Sequence, residues 1–386
     1  VNNFEFYNPV RIIFGKDQLL RLSELIPAGT KILLLYGGGS IRKNGIYDKV
    51  TAALAGYTFF EFGGIEPNPS LETSIKAVEL IKENNIDFIL AVGGGSVIDA
   101  AKFIGAASLY EGTDPWDILA KGAPVLKTIP IGTILTLPAT GSEMNAGSVI
   151  TNKAKAQKLA FKVSLNFPKF SILMPNAAAS LPQKQVANGI VDAFVHVVEQ
   201  YATYCTNNPL QDRFAESILQ TLIEEGPKVY ADPSDYDAMS NLMLCASLAL
   251  NGLIGSGVPQ DWSVHAIGHE LTVLHGIDHA RTLAIVLPGV WKYLLGQKKD
   301  KLVQYGRRVL NITTGTDDEI AELAIEKTVD FFESLGIKTK LSDYNIGQNT
   351  IDLISRRLEE RGWLQFGDRG MVNPANVKDI LALQLN

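Results

Sequence analysis

All five histidines of the 386-residue chain fall between His196 and His279, and four of them, His265, His269, His275 and His279, lie within 15 residues. Asp192 and His196 stand four apart in a run with helical character, Gly189-Ile190-Val191-Asp192-Ala193-Phe194-Val195-His196-Val197-Val198-Glu199. Spacing of i, i+4 puts both on one face of a helix. Val191, Val195 and Val198 beside them are apolar, so that face is predicted to be buried. A buried carboxylate without a counter-charge is costly, and a bound cation resolves the cost. His265/His269 and His275/His279 repeat the four-residue step. One carboxylate with several imidazoles suits Zn2+ or Fe2+ and leaves a coordination position for a substrate oxygen. A lone histidine is more often a hydrogen-bonded core residue or a helix-end cation. The Asp192/His196 pair together with the His265–His279 cluster favours a metal, although the spacing does not select which histidines ligate.

A second chemistry is written in glycine. Phe88-Ile89-Leu90-Ala91-Val92 runs into Gly93-Gly94-Gly95-Ser96 and then into the helical pattern of Val97 to Lys102. Glycines let the backbone approach a ligand closely, and a helix N-terminus offers free N–H groups to a phosphate. A glycine turn after a strand is often only a tight turn. Here a second one, Gly37-Gly38-Gly39-Ser40, follows the strand run Lys31–Tyr36, which favours a dinucleotide site. NAD-reading folds often place an acid on the adenosine ribose. Residues 36–43 contain none and instead carry Arg42 and Lys43, an environment that accepts a 2′-phosphate, so NADP(H) is expected over NAD(H).

These residues need two kinds of scaffold. Continuous apolar runs at Lys31–Tyr36, Phe59–Phe62, Phe88–Val92 and Ile129–Leu137, separated by helical segments such as Leu71–Glu83, predict a parallel sheet covered on both faces. The pattern changes near Ala178-Ala179-Ser180. Beyond it Gln183–Thr203, Leu210–Glu225, Tyr236–Leu253, Trp262–Leu274, Asp317–Leu335 and Thr350–Glu360 carry helical periodicity, with Asp317 and Asp318 in a first turn. The expectation is an α/β, Rossmann-like nucleotide-binding domain over 1–180 and an all-helical metal-binding domain over 181–386, packed closely about a cleft.

Composition bounds the function. Hydrophobic residues make up 46% and charged residues 20%, ordinary for a globular enzyme. A net charge of −6 without any Lys/Arg run gives no electrostatic reason to expect nucleic acid or an anionic membrane as partner. The apolar stretch Leu242–Gly255 is short of the ~20 residues a membrane span needs and reads as a core helix. Cys205 and Cys245, both in helical patterns, form no CxxC pair, which fits a reducing compartment. The N-terminal residues carry no apolar run of the signal-peptide kind, and a cytoplasmic location is expected.

The chain resembles the iron-containing (group III) alcohol dehydrogenases, in the branch of NADPH-dependent aldehyde reductases and butanol dehydrogenases. The likeness is carried by Pro9–Gly15, Phe62-Gly63-Gly64-Ile65-Glu66-Pro67-Asn68-Pro69, the GGGSxxDxxK run Gly93 to Lys102, Leu137–Glu143, the Asp192/His196 helix and His265 to Pro288. The resemblance implies a dehydroquinate synthase-like two-domain fold. It implies one divalent metal, Fe2+ or Zn2+, on Asp192, His196, His265 and His279, with His269 as proton relay and His275 a branch-specific extra. It implies nucleotide contacts at Gly37, Gly38, Ser40, Lys43, Gly93, Gly94, Gly95, Ser96, Asp99, Thr136, Thr140, Lys158 and Leu181. The implied reaction is hydride transfer between NADPH and a small aldehyde or alcohol, in a homodimer. Two departures stand out: Ala280 replaces the usual glycine after the last ligand, and Thr136-Leu137-Pro138-Ala139-Thr140-Gly141-Ser142-Glu143 replaces the TTAGTGSE loop. The competing reading is a metal- and NAD-dependent lyase or cyclase of the dehydroquinate synthase type, which shares the two-domain plan.

Overall fold

The computed structural model describes residues 1–386. The chain resolves into two compact units: Tyr7–Pro182 with Pro233–Ser247, and Val1–Phe6 with Gln183–Asp232 and Leu248–Asn386.

The first unit is built on a six-stranded sheet. In chain order its elements are β1 (Arg11–Phe14), α1 (Leu22–Leu25), β2 (Lys31–Tyr36), α2 (Ser40–Lys43), α3 (Ile46–Ala53), β3 (Thr58–Phe62), α4 (Leu71–Asn84), β4 (Phe88–Gly94), α5 (Gly95–Ser108), α6 (Asp117–Ala120), β5 (Ile131–Leu137), β6 (Gly147–Asn152), β7 (Gln157–Lys162) and β8 (Phe170–Leu173). The strand order is β1-β8-β5-β4-β2-β3, and every pairing is parallel. Ile32 to Leu35 and Ile89 to Val92 have no exposed surface, as expected of strands covered on both faces. The chain leaves β2 toward β3 and returns across it to β4, so β2 and β4 are neighbours at a topological switch point. Ligands of open α/β sheets bind beyond the carboxyl ends of strands at such a point. The periodicity of 71–83 is realised as α4, capped by Ser70, whose hydroxyl accepts from the Thr73 N–H at 3.2 Å, and closed by Asn85 in the left-handed region.

Not all of the unit follows the sequence expectation. β6 and β7 form a separate antiparallel pair, because the turn at 153–156 is too short for a parallel crossover. The short strands β1 and β8 carry too few residues to show a period.

The second unit is helical: α7 (Gln183–Tyr201), α8 (Pro209–Ala231), α10 (Ser263–His275), α11 (His279–Tyr293), α12 (Leu295–Arg308), α13 (Asp317–Ser334), α14 (Gln348–Glu360) and α15 (Pro374–Ala382). The remaining helix, α9 (Tyr236–Ala249), belongs through Ser247 to the first unit. A capping box between Thr316 and Glu319 starts α13, with Asp317 and Asp318 in its first turn. Every residue of α7 from Val186 to Tyr201 is buried, so α7 is a central helix rather than an amphipathic surface one. Phe194 anchors it, with Phe332 and Phe331 at ring distances of 5.4 and 5.6 Å.

Two readings of the sequence need correction. Cys205 lies in the exposed loop between α7 and α8, not in a helix; the i, i+4 pattern stops at Tyr201. His275 and His279 do not share a helix face. Gly276 in the left-handed conformation (φ 68°) closes α10, and α11 begins at His279. No helix is long and apolar enough to cross a membrane.

Candidate functional site

The helical unit brings one acid and several imidazoles together. α7 presents Asp192 and His196, α10 presents His265 and His269 one turn apart, and α11 presents His279 at its first residue. Ligand atoms of Asp192, His265 and His279 all lie within 4.8 Å of one another. His196 adjoins this trio: its Nδ1 stands 3.9 Å from Asp192 Oδ1, and its ring is 4.7 Å from that of His265. The His279 Nε2 is also 3.9 Å from Asp192 Oδ1. These separations are too long for hydrogen bonds. They suit atoms that share a cation, since two ligands each about 2.1 Å from a metal stand roughly 3.4–4 Å apart.

The polar bookkeeping agrees with a cation. Asp192 Oδ1 and His196 Nδ1 are buried and have no hydrogen-bond partner within the protein. A buried polar atom in that state is rare in native proteins and points to a ligand or ion. Burial pushes the His196 imidazole down to about 4, so it is neutral near pH 7 and keeps the lone pair that a metal needs. His269 is half-buried with its ring 4.9 Å from that of His279; it is not part of the close trio. His275 is exposed at the end of α10 and meets the Thr350 hydroxyl at 3.1 Å. Trp262 stands before α10 with φ 65°, an unusual backbone for a bulky residue, and its ring lies 5.3 Å from His265.

In the α/β unit the two glycine turns come side by side. Tyr36 of β2 pairs with Val92 of β4, so Gly37 and Gly93 follow at adjacent positions at the carboxyl ends of the two strands. Side chains at Gly93 and Gly95 would collide with their neighbours, and one at Gly94 would be tightly crowded. A Cβ on Gly93 would meet Val97 at 2.5 Å, one on Gly94 would meet Leu137 at 3.0 Å, and one on Gly95 would meet Thr140 Oγ1 at 2.3 Å. Gly94 is the N-cap of α5, whose free N–H groups emerge from this turn with Ser96. Gly38, Ser40 and Lys43 are exposed. Thr136 and Lys158 are buried, and Lys158 Nζ donates to Asn68 Oδ1 at 2.7 Å. Leu181 is half-buried at the end of the unit, its N–H bonded to the Ala178 carbonyl.

Two members of the sequence reading change character. Arg42 is tied to Glu61 at 2.7 Å and to the Tyr36 hydroxyl, and it lies 3.7 Å over the Tyr47 ring. Its charge is therefore matched by an acid of the protein, although Arg42 and Lys43 are both exposed. Asp99 accepts from the Ser142 hydroxyl at 2.5 Å and from the Val149 N–H at 3.0 Å. Both oxygens thus hold the wall of the turn, and burial pushes its carboxyl up.

The sequence reading passed over the groups that hold these parts in place. Lys102, fully buried, donates to the Ser142 carbonyl and hydroxyl, Asn145 Oδ1 and the Gly147 carbonyl, so α5 is fastened to the loop after β5. Burial lowers this ammonium to about 8, against the charges of Asp99 and Glu143. Lys102 was visible only as the last letter of GGGSxxDxxK. Glu199 on α7 is buried and reaches both the backbone and the ring of His265. Its signal was an acid three residues beyond His196 on a predicted buried face.

Residues 9–175 match the family described as iron-containing alcohol dehydrogenase, and residues 186–383 match the C-terminal part of the Fe-containing alcohol dehydrogenase family. The chain is 53% identical over 370 residues to the NADPH-dependent aldehyde reductase YqhD of Escherichia coli, covering 95% of this chain and 96% of that one. It is 42% identical over 390 residues to a probable NADH-dependent butanol dehydrogenase of Bacillus subtilis, covering all of both. The crystal structure of Escherichia coli YqhD superposes with a TM-score of 0.98 at 50% identity, covering 99% of each chain.

Proposed function

This chain belongs to the iron-containing alcohol dehydrogenase family, and on that footing we propose that it acts as an NADPH-preferring aldehyde reductase with one divalent cation, Fe2+ or Zn2+, on Asp192, His196, His265 and His279. Its reaction class is that of an NAD(P)H-linked alcohol dehydrogenase, which interconverts a short- to medium-chain aldehyde and its alcohol. When bound, the cation supplies a Lewis acid toward the carbonyl oxygen and the nucleotide supplies the hydride.

The protein's own part is positioning and proton control. Asp192 contributes the anionic ligand, and the neutral His196 ring keeps its lone pair at physiological pH. His269, one helical turn beyond His265 and half-buried, is the proposed carrier of the proton that the nascent alcohol takes up. In the α/β unit the Gly93–Ser96 backbone is the proposed seat of the pyrophosphate, with Gly37, Gly38, Thr136, Thr140, Lys158 and Leu181 around the nucleotide and Asp99 buttressing the turn. Exposed Ser40 and Lys43, with no acid in residues 36–43, suit a 2′-phosphate.

The observation that carries this reading is the convergence of Asp192, His265 and His279 within 4.8 Å on a buried three-helix frame. The experiment is an activity screen of short aldehydes with NADPH and NADH, before chelation, after it and after add-back of Fe2+ or Zn2+. Activity should fall with chelation, return with metal and favour NADPH. Full turnover in metal-free protein would remove the metal from the mechanism, and a preference for NADH would remove the reading of residues 37–43. A cytoplasmic homodimer completes the proposal; a monomer mass by light scattering would count against the dimer.

A further inference from the structure

We propose that Glu199 is a positioning residue of the metal centre, the side chain that fixes the tautomer and the orientation of His265. This inference rests on the metal reading above. Glu199 stands on α7, three residues beyond His196, with 2% of its surface exposed. One carboxylate oxygen, Oε1, accepts the Val264 N–H at 2.7 Å; the other, Oε2, accepts the His265 N–H at 3.2 Å and makes a short contact with His265 Nδ1.

The local geometry explains why the carboxylate comes from another helix. The residue before α10 is Trp262, in the left-handed region and without any side-chain cap. Val264 and His265 therefore begin α10 with N–H groups that no local acceptor satisfies. Glu199 supplies that acceptor and in the same act grips the imidazole. Its own placement is braced: the Asp261 N–H donates to the Glu199 carbonyl at 2.8 Å, and the buried Lys298 ammonium holds Asp261 at 2.5 Å.

The chemistry follows from the acceptor. A carboxylate facing Nδ1 makes that nitrogen the donor, which leaves the lone pair on Nε2 as the ligating atom. A partner of this kind both orients the ring and raises its basicity toward a metal. One rigid helix, α7, thus supplies Asp192 and His196 directly and sets the third ligand through Glu199.

A merely structural cap and a positioning residue part company at Glu199→Gln. The amide keeps an oxygen for the Val264 N–H and nearly the same volume. It turns its NH2 toward Nδ1, which must then accept, and the proton moves to Nε2. The test takes full-length wild type, Glu199→Gln, Glu199→Asp and His265→Ala, each stripped with a chelator. Each is titrated with Co2+ and, in competition, with Zn2+, recording affinity and the visible Co2+ spectrum, with the unfolding midpoint of the metal-free proteins measured alongside. Glu199→Gln should lower its midpoint modestly, because the amide NH2 takes the place of the oxygen that accepted the His265 N–H, and should beyond that lose about 10–100-fold in metal affinity and change the Co2+ spectrum. Glu199→Asp keeps the charge but withdraws it by one methylene, and should fall between Gln and wild type. Glu199→Gln binding within about threefold of wild type with the same spectrum would overturn the role of Glu199. If Glu199→Gln fails to fold, wild-type affinity in Glu199→Asp would overturn it instead. A wild type that takes up no stoichiometric Co2+, or His265→Ala binding as tightly as wild type, would overturn the metal reading on which it stands.

Discussion

Replacing Asp192 by asparagine separates a metal ligand from a structural carboxylate by the sign of its effect on stability. Asp192 is 4% exposed on α7, its Oδ1 meets no hydrogen-bond donor, and the nearby imidazole nitrogens stand 3.9 Å away. In the metal-free protein such an oxygen costs the fold roughly 1–3 kcal/mol, the penalty of an unsatisfied buried acceptor. Asparagine is nearly isosteric, removes the charge and brings amide donors that a neutral imidazole nitrogen can accept. Metal-free Asp192→Asn is therefore expected to be at least as stable as wild type, and about 1 kcal/mol more stable if the amide finds a ring nitrogen. Metal reverses the order. At Zn2+ about 1,000 times above its Kd wild type gains about 4 kcal/mol, while the variant, without its anionic ligand, gains little. The assay is urea unfolding of chelated and Zn2+-loaded proteins, without nucleotide, followed by tryptophan fluorescence. Trp262, Trp291 and Trp363 lie in the helical unit and Trp116 in the other, so the signal is weighted toward the metal-bearing unit. Metal-free Asp192→Asn lying more than about 1 kcal/mol below wild type would make Asp192 a structural carboxylate, and equal Zn2+ stabilisation of both proteins would take it out of the ligand set.

Two further outcomes are expected. His196 is held at about 4 by burial against an ordinary 6.5, so the unfolded chain binds the additional proton between these values. Stability of the metal-free protein is therefore full above pH 6.5 and lost as pH falls toward 4, by about 3 kcal/mol in all at about 1.4 kcal/mol per unit; midpoints measured against pH should be flatter for His196→Gln, and parallel profiles would refute the assignment. Gly95→Ala places a methyl 2.3 Å from Thr140 Oγ1 and 2.5 Å from its Cγ2 and should cost about 1–3 kcal/mol. Thr140→Ala removes both atoms, so the double variant should be less destabilised than the sum of the singles; strict additivity would show that the clash is relieved elsewhere.

How far the site was legible follows from the range of each signal. The four-residue step from Asp192 to His196 fixes their common face whatever surrounds the helix, because helical geometry relates positions three and four apart. The apolar runs ending at Gly37 and Gly93 likewise announce buried strands followed by open turns. What the sequence alone determined, then, was the run of central strands from β2 to β5, the register of α7 and the identity of the family. Tertiary structure decided the rest. β2 lies beside β4 although β3 and α4 intervene in the chain, and only that pairing puts the two glycine turns at one switch point. The equal spacing of His265/His269 and His275/His279 conceals a difference, since Gly276 ends one helix before His279 begins the next. Arg42 and Lys43, both exposed, read alike until Glu61, 19 residues on from Arg42, pairs with Arg42. Glu199 acquires meaning only when the start of α10, 65 residues along the chain, meets its carboxylate. Local periodicity is set by backbone geometry over a few residues. Which distant groups meet is set by the packing of whole elements, and no spacing along the chain records it.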